Sequence, residues 1–394
     1  MQTRLERTAP AEENTTPLRR TWRVAVLLTL IGAAMVAWPR VKAHLQAIAI
    51  LKLVSGQRVP WLVAKTSAHP VLIGPTQIET SVGTLRARLY MPADLPHAPP
   101  LVILHGVHYL GMDEPRLMAF ANAMAASGLR VLTPELPDIK DYHVNESSIT
   151  AIGESARWFA QRTGAPVGVM GLSFSGGLAL IAATEPQYAP SIKYIFAVGS
   201  QDQMSRVVRY YKTGEDVRPD RTVERLSPHE YGPLVLEYEH LEDFVPVQDI
   251  PALRAVLRAH LYENQPEEQQ AIATLTSPQR AEAVQLMDAR SSTVRTALTA
   301  SEALHVDEMN ALSPHAKIER LKIPVYLLHG EADNIIPAAE TLWLAADLPR
   351  HTLRAMLISP VISHVEIDNV HPPGLRDQWR LVHFMAQVME ESKK

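Results

Sequence analysis

The 394-residue chain contains no cysteine. That excludes disulfides, a thiolate nucleophile and cysteine-ligated metals, and leaves the redox compartment open. It also lacks an excess of charge of either sign: 38 Lys and Arg stand against 42 Asp and Glu, a net −4. There is no basic stripe, zinc-ligand spacing or RNA-binding signature, so nucleic acid is not an expected partner. Internal repeats and low-complexity tracts are missing too. What is present, 46% hydrophobic and 20% charged residues, is a globular balance and excludes a largely disordered chain. The length allows one large domain with additions, or two domains.

One uncharged, strongly apolar run lies near the N-terminus. After a polar, mixed-charge tail over residues 1–20, read as disordered, Val24–Trp38 is 15 residues without a charge. Arg19, Arg20 and Arg23 flank it on one side, Arg40 and Lys42 on the other. Trp22 and Trp38 bracket it like interfacial anchors. As a helix, Trp22 to Trp38 spans roughly 25 Å, slightly short of the ~30 Å hydrocarbon core. Residues 21–40 are therefore expected to be a single-pass membrane anchor with a cytoplasmic N-terminus. The alternatives are a cleaved export signal, with Val41-Lys42-Ala43 or Gly32-Ala33-Ala34 as processing site, and a packed or interfacial helix. Arg19-Arg20 is a twin-arginine match of low specificity. Residues 41–70 follow as a linker helix, with Leu45, Ile48, Leu51, Leu53 and Val54 at helical spacing over 41–63.

The most informative stretch is Gly171-Leu172-Ser173-Phe174-Ser175-Gly176-Gly177. Apolar Pro166–Met170 before it reads as a buried strand, and Leu178–Ala183 after it as a buried helix. A serine on so sharp a strand-to-helix turn is strained, with its hydroxyl held above the sheet. Small residues two before and two after let strand and helix approach. Here those are Gly171 and Ser175, so serine replaces the second glycine of G-x-S-x-G. Further along, Val325–Gly330 is an apolar strand leading to Asp333, and Leu353–Ser359 another leading to His364. Leu101–Leu104 is a strand ending in His105-Gly106. The order nucleophile, acid, histidine and the His-Gly pair resemble the α/β-hydrolase superfamily, over roughly Val71 to the C-terminus.

The rest of the pattern agrees with that resemblance. Gln77–Ser81 and Leu85–Tyr90 predict a hairpin around Val82-Gly83-Thr84. Strand and helix then alternate: strands Leu101–Leu104 and Arg130–Thr133, helices Glu114–Ala126 and Ser147–Gln161, and a strand at Ile192–Val198. Alternation predicts a mostly parallel sheet with helices on both faces, and active groups at the C-terminal strand ends. Residues 71–200 and 321–394 are thus the expected core. Residues 201–320 break the alternation with a helical pattern and no convincing strand; Leu253–Tyr262 and Pro278–Met287 are its clearest amphipathic stretches. The resemblance implies that this insertion is a helical cap. A partner-docking module is the alternative.

Ser173 is the candidate nucleophile. Ser175 competes, but bulky Leu178 stands where Gly176 stands relative to Ser173. His364 is the candidate base, with His371 as competitor. His105 and His329 read as packing or supporting residues. Asp333 is the candidate acid; the rival is Asp202, and a helix N-cap near Pro337 is its structural alternative. The oxyanion donors implied are the backbone N–H groups of Phe174 and Val107. There is no HGGG run. The resemblance implies a serine hydrolase acting on a carboxylic ester or related acyl compound, with a small-molecule ester substrate, no organic cofactor and no metal. A carboxylate-nucleophile chemistry is disfavoured by Ser173. The alternative is a non-catalytic member of the fold that uses the cap as a binding surface.

Overall fold

A computed structural model describes residues 17–288, 291–362 and 374–394. Its strands are β1 Val71–Thr80, β2 Gly83–Pro92, β3 Pro100–Leu104, β4 Arg130–Pro134, β5 Val167–Leu172, β6 Ile192–Val198, β7 Glu215–Val217, β8 Val223–Arg225, β9 Val325–Gly330 and β10 Leu353–Ser359. The helices of the N-terminal half are α1 Pro17–Val54, α2 Trp61–Ala64, α3 Pro115–Ala126, α4 Pro137–Lys140, α5 Glu146–Thr163 and α6 Phe174–Ala182. After β6 come α7 Met204–Thr213, α8 Tyr231–Glu239, α9 Ile250–Leu261, α10 Gln265–Thr274, α11 Ser277–Leu286, α12 Ser292–Leu304 and α13 Val306–Ala311. The last two are α14 Ala339–Asp347 and α15 Leu375–Ser392.

Eight strands form one sheet in the order β1-β2-β4-β3-β5-β6-β9-β10. β2 runs antiparallel to β1 and β4; from β4 to β10 every pairing is parallel. The inner parallel strands β3, β5, β6 and β9 are buried on both faces, which is why they read as nearly unbroken apolar runs, whereas the edge strand β10 exposes Arg354 and Met356. Their side chains alternate between two cores. Val102, Leu104, Val169, Ile195 and Leu327 face a core shared with α5, α6 and the helices of the insertion. Leu101, Ile103, Met170, Phe196 and Leu328 face one shared with α1, α3 and α15.

Capping chemistry sets the helix ends. Glu114 accepts the Leu117 N–H at the start of α3, with Pro115 at the first helical position. Asn145 caps α5, and Gly164 at φ +72° closes it. α1 ends in a paired turn: Gly56, at φ +65°, donates to the Leu53 carbonyl at 3.1 Å, and Gln57 donates to Lys52 at 2.8 Å. Only a residue at ease in the left-handed region makes that stop cheaply.

Several expectations change. The hairpin strands are longer than predicted and turn at Ser81-Val82, with Gly83 and Thr84 already in β2. β1 is largely exposed, so little hydrophobic alternation marked its first half. The insertion does contain strands: β7 and β8 form a short antiparallel ribbon. Three residues each of Glu-Asp-Val and Val-Glu-Arg are too few and too polar to carry a period. The boundary expected between residues 40 and 41 is crossed by one continuous helix, α1, even with Pro39 inside it. From Trp22 to Val41 its described side chains are exposed, including Leu27, Leu28, Ile31, Met35 and Val36. Beyond that, Ala43, Ala47 and Ile50 form a buried stripe at helical spacing, the signature of a helix with one face in a core. Buried Gln46 ties it down, donating to the Thr66 and Ser127 carbonyls at 3.1 and 2.7 Å. α1 is the one helix among the described residues long and apolar enough to cross a membrane.

Candidate active site

Ser173 sits between β5 and α6 with φ +56° and ψ −136°. For a non-glycine residue this is a strained backbone that costs of order 1–3 kcal/mol. The neighbours hold it there. Its N–H donates to the Val198 carbonyl at 2.8 Å, and its own carbonyl accepts the Gly176 N–H at 3.0 Å. The strand and helix touch through glycine: a Cβ on Gly171 would lie 2.5 Å from the Gly176 Cα. A Cβ on Gly176 would lie 2.0 Å from the Ser200 Oγ. Ser175 is fully buried in the first turn of α6, and its Oγ donates to the His105 carbonyl at 2.6 Å. That hydroxyl latches the helix to the end of β3. Ser173 and not Ser175 lines the adjoining cavity.

The Phe174 N–H belongs to the first turn of α6, whose amides have no acceptor within the helix. The His105-Gly106 turn runs directly against the serine: a Cβ on Gly106 would be 3.2 Å from the Ser173 Cβ. His105 is buried and committed at both nitrogens. Nδ1–H donates to the Gly106 carbonyl at 2.8 Å, and Nε2 accepts the Leu136 N–H at 2.9 Å. Burial pushes its pKa down to about 4. It is a neutral structural brace for the turn that carries Val107. The next link is the Tyr231 hydroxyl, which donates to the Val107 carbonyl at 2.7 Å. Sequence reasoning missed Tyr231, because one tyrosine at the head of a helix carries no spacing signal.

Asp333 is buried just past β9. Its Oδ1 accepts the N–H groups of Ile335 and Ile336 at 2.9 and 3.0 Å, and Oδ2 lies 3.2 Å from the His329 Nε2. It closes its own turn and is not the cap of α14, which begins at Ala339. Fully buried His329 is anchored to the Thr341 hydroxyl and the Ile336 carbonyl. The rival Asp202 is employed elsewhere. It pairs with Arg206 at 2.7 Å, while Arg206 also holds Glu340 at 2.8 Å. Burial raises Asp202 to about 6 and Glu340 to about 7. His364 and His371 lie outside the described residues.

A cavity of about 420 Å³ opens at Ser173, within the ~300–1,000 Å³ typical of small-molecule sites. One arm is mixed in character and includes His108, Tyr142, His229, Tyr231 and Glu263. His229, Tyr231 and Glu263 come from the insertion. The other arm runs beside β5 into the core under α1, α3 and α15. Two clusters of described residues could hold a metal ion, His240–His305–Glu308 and Asp202–His315–Asp347. Neither contributes a residue to the cavity.

No family model matches the chain, and no curated protein matches it in sequence. Solved structures do resemble it. A hyperthermophilic esterase from the archaeon Pyrobaculum calidifontis is 19% identical, with 84% of this chain and 88% of that one covered and a TM-score of 0.45. An α/β fold family hydrolase from Bacillus anthracis is 17% identical over 81% and 99% of the two chains, TM-score 0.40. The acylaminoacyl peptidase of Pyrococcus horikoshii is 13% identical over 84% of this chain but only 42% of its own length, TM-score 0.45. The strand order, the single antiparallel edge hairpin and the strained serine between β5 and α6 give this chain the α/β-hydrolase fold.

Proposed function

We propose that the chain is a serine hydrolase that cleaves a carboxylic ester through an acyl-enzyme. The observation that carries this is Ser173 itself: a serine forced to φ +56° at the mouth of a cavity. Backbone strain is kept where the surrounding structure over-determines it, which is most often a working site. In this reading His364 takes the Ser173 proton as Oγ attacks the substrate carbonyl carbon. Asp333 orients that imidazole and stabilises its cation. The Phe174 and Val107 amides receive the negative charge on the tetrahedral oxygen. The C–O bond to the alcohol then breaks, and His364 returns the proton to the leaving alkoxide. Water repeats the sequence on the acyl-serine and releases the acid. The 201–320 insertion serves as a cap that shapes the substrate site; Tyr231, His229 and Glu263 on the cavity wall support that role. α1 serves as a membrane anchor, with the N-terminus cytoplasmic and the hydrolase on the other side.

A fluorophosphonate probe tests the chemistry. Wild-type protein and Ser175→Ala should label, whereas Ser173→Ala should not. Asp333→Ala and His364→Ala should each lower kcat by on the order of 10³–10⁶, with double variants far from additive because the groups act as one unit. Labelling that survives Ser173→Ala rejects the nucleophile. Full turnover in His364→Ala with loss in His371→Ala moves the base to His371. A folded protein that neither labels nor hydrolyses any ester would instead be a binding member of the fold.

A further inference from the structure

The cavity at Ser173 does not end at the reacting carbon. Leu172 immediately precedes the serine, and Met170 lies two residues before that on the same face of β5. Both line the cavity, with Phe196 of β6 beside them. Among the described residues the facing wall includes Leu51 and Val54 from the last turn of α1, Leu117 and Phe120 from α3, and Leu381 and Met385 from α15. α3 brings one charged side chain to the cavity, Arg116 in its first turn, which pairs with its N-cap Glu114 at 2.6 Å and acts with it on His108. Glu114, Arg116 and Glu263 all act on His108, and His229 and Tyr231 line the cavity with them.

A site with a nucleophile at its centre sorts a substrate into two halves. The acyl half stays covalently attached through the second step, while the alcohol half must leave and water must enter. The polar arm suits the leaving alcohol and the water. An apolar arm that starts at the residue beside the nucleophile suits the half that stays.

We infer that the arm beneath α1, α3 and α15 binds the linear aliphatic chain of a medium- or long-chain acyl ester, and that the last turn of α1 forms part of its wall. The inference rests on the serine-hydrolase reading for the ester, but the chain-binding arm stands on its own geometry. Each methylene buried there adds affinity by the ordinary apolar transfer term. α1 is therefore more than a tether. The same helix that carries the exposed apolar run at one end completes the acyl pocket at the other.

Two measurements on the full-length protein separate the pocket from the chemistry. The first is kcat/KM on p-nitrophenyl acetate, butyrate, octanoate and laurate. Wild type should rise at least about tenfold from acetate to laurate. Leu51→Trp, and separately Val54→Trp, should lower the laurate-to-butyrate ratio at least about tenfold, since even one methylene misfitted in an apolar pocket is worth about that much. A ratio within about twofold of wild type in both variants overturns the inference. Circular dichroism and thermal melting identify a variant that fails to fold, and the other then carries the test.

The second is photo-crosslinking of a diazirine-bearing dodecanoate to full-length Ser173→Ala in lipid nanodiscs, with the modified peptides mapped by mass spectrometry. Crosslinks on peptides holding Leu51 and Val54, or on α3 or α15 near Phe120 and Met385, support the arm. Crosslinks confined to residues 201–320, or to the exposed part of α1, overturn it. This result needs no turnover. Wild-type protein that neither labels with fluorophosphonate nor turns over any ester, while Ser173→Ala still crosslinks at α1, would refute the hydrolase reading and leave the chain-binding arm intact.

Discussion

A methyl group added to Gly171 would place its carbon 2.5 Å from the Gly176 Cα and 2.6 Å from the Gly176 backbone nitrogen. Backbone cannot swing aside as a long side chain can. Gly171→Ala should therefore destabilise the protein by at least about 1–3 kcal/mol, the usual cost of overpacking. It should also abolish fluorophosphonate labelling, because the elbow must open to relieve the clash. Urea denaturation gives the first quantity and the probe the second; near-native values in both would show that β5 and α6 do not need glycine contact. A different residue-scale liability lies in α8. Glu237 is fully buried, and neither carboxylate oxygen has a hydrogen-bond partner among the described residues. Burial raises its pKa from 4.5 to about 8. An acid raised on folding binds more protons in the native state than in the unfolded state between those two values, so stability falls as pH rises through that window. Glu237→Gln removes the titration. Its stability advantage over wild type should be small near pH 5 and grow toward pH 8, to at most about 5 kcal/mol at 1.36 kcal/mol per unit. Thermal melts of the two proteins across that range check it. An advantage that does not change with pH would mean that Glu237 is not neutral in the native state.

Among the elements, the link between the insertion and the sheet is the one most open to test. The Tyr231 hydroxyl at the start of α8 holds the Val107 carbonyl, and so steadies the residue whose N–H, one peptide earlier, is the proposed second oxyanion donor. Tyr231→Phe removes that hydrogen bond and little else. A net hydrogen bond is worth about 0.5–1.5 kcal/mol, so kcat should fall about 2–12-fold, with thermal stability changed by no more than a few degrees. An unchanged kcat would show that the loop keeps its place without the insertion. Elements differed in how much the sequence disclosed. β6 and β10 carry the predicted bounds residue for residue, and α3 and α5 lie within a few residues of prediction: β6 is a nearly unbroken buried apolar run, β10 alternates with exposed Arg354 and Met356, and both helices carry caps. The elbow was legible too, because sterics there admit only small residues around Ser173. The ribbon of β7 and β8 was not legible, nor the full length of β1. β1 and β8 carry mostly exposed side chains and β7 is three residues with a buried aspartate at its centre, so no apolar alternation records them. Tyr231, Leu51 and Val54 were invisible as site residues because each reaches the cavity from a remote segment. Tertiary packing, not local spacing, brings them there.

At the scale of the whole molecule, one helix joins the proposed anchor to the core. α1 spans 38 residues, about 57 Å at 1.5 Å per residue. Its exposed part, Trp22 to Val41, covers about 30 Å, close to the thickness of a hydrocarbon core. Its remaining turns are structural. Ala43, Ala47 and Ile50 are buried against α3 and α15, and buried Gln46 bonds Thr66, Ser127 and Lys393. Burying a residue such as Ile50 contributes about 1.5–3 kcal/mol, and the bonds to Gln46 add to it. The two parts of α1 should therefore come apart under truncation. A chain beginning at residue 41 should be soluble and folded, and should label with fluorophosphonate like the full-length protein. A chain beginning at residue 57 should lose several kcal/mol of stability or fail to fold, since it removes the core stripe together with part of the cavity wall. The full-length protein should stay in the membrane fraction through salt and carbonate washes, with Met1 or Gln2 at its N-terminus. Recovery of a soluble product beginning at His44 would instead make the exposed part of α1 an export signal, cut where the buried stripe begins. A soluble product with an intact N-terminus would leave that part as a packed or interfacial helix. A chain beginning at residue 57 that folds as well as one beginning at residue 41 would refute the structural role given to the second half of the helix.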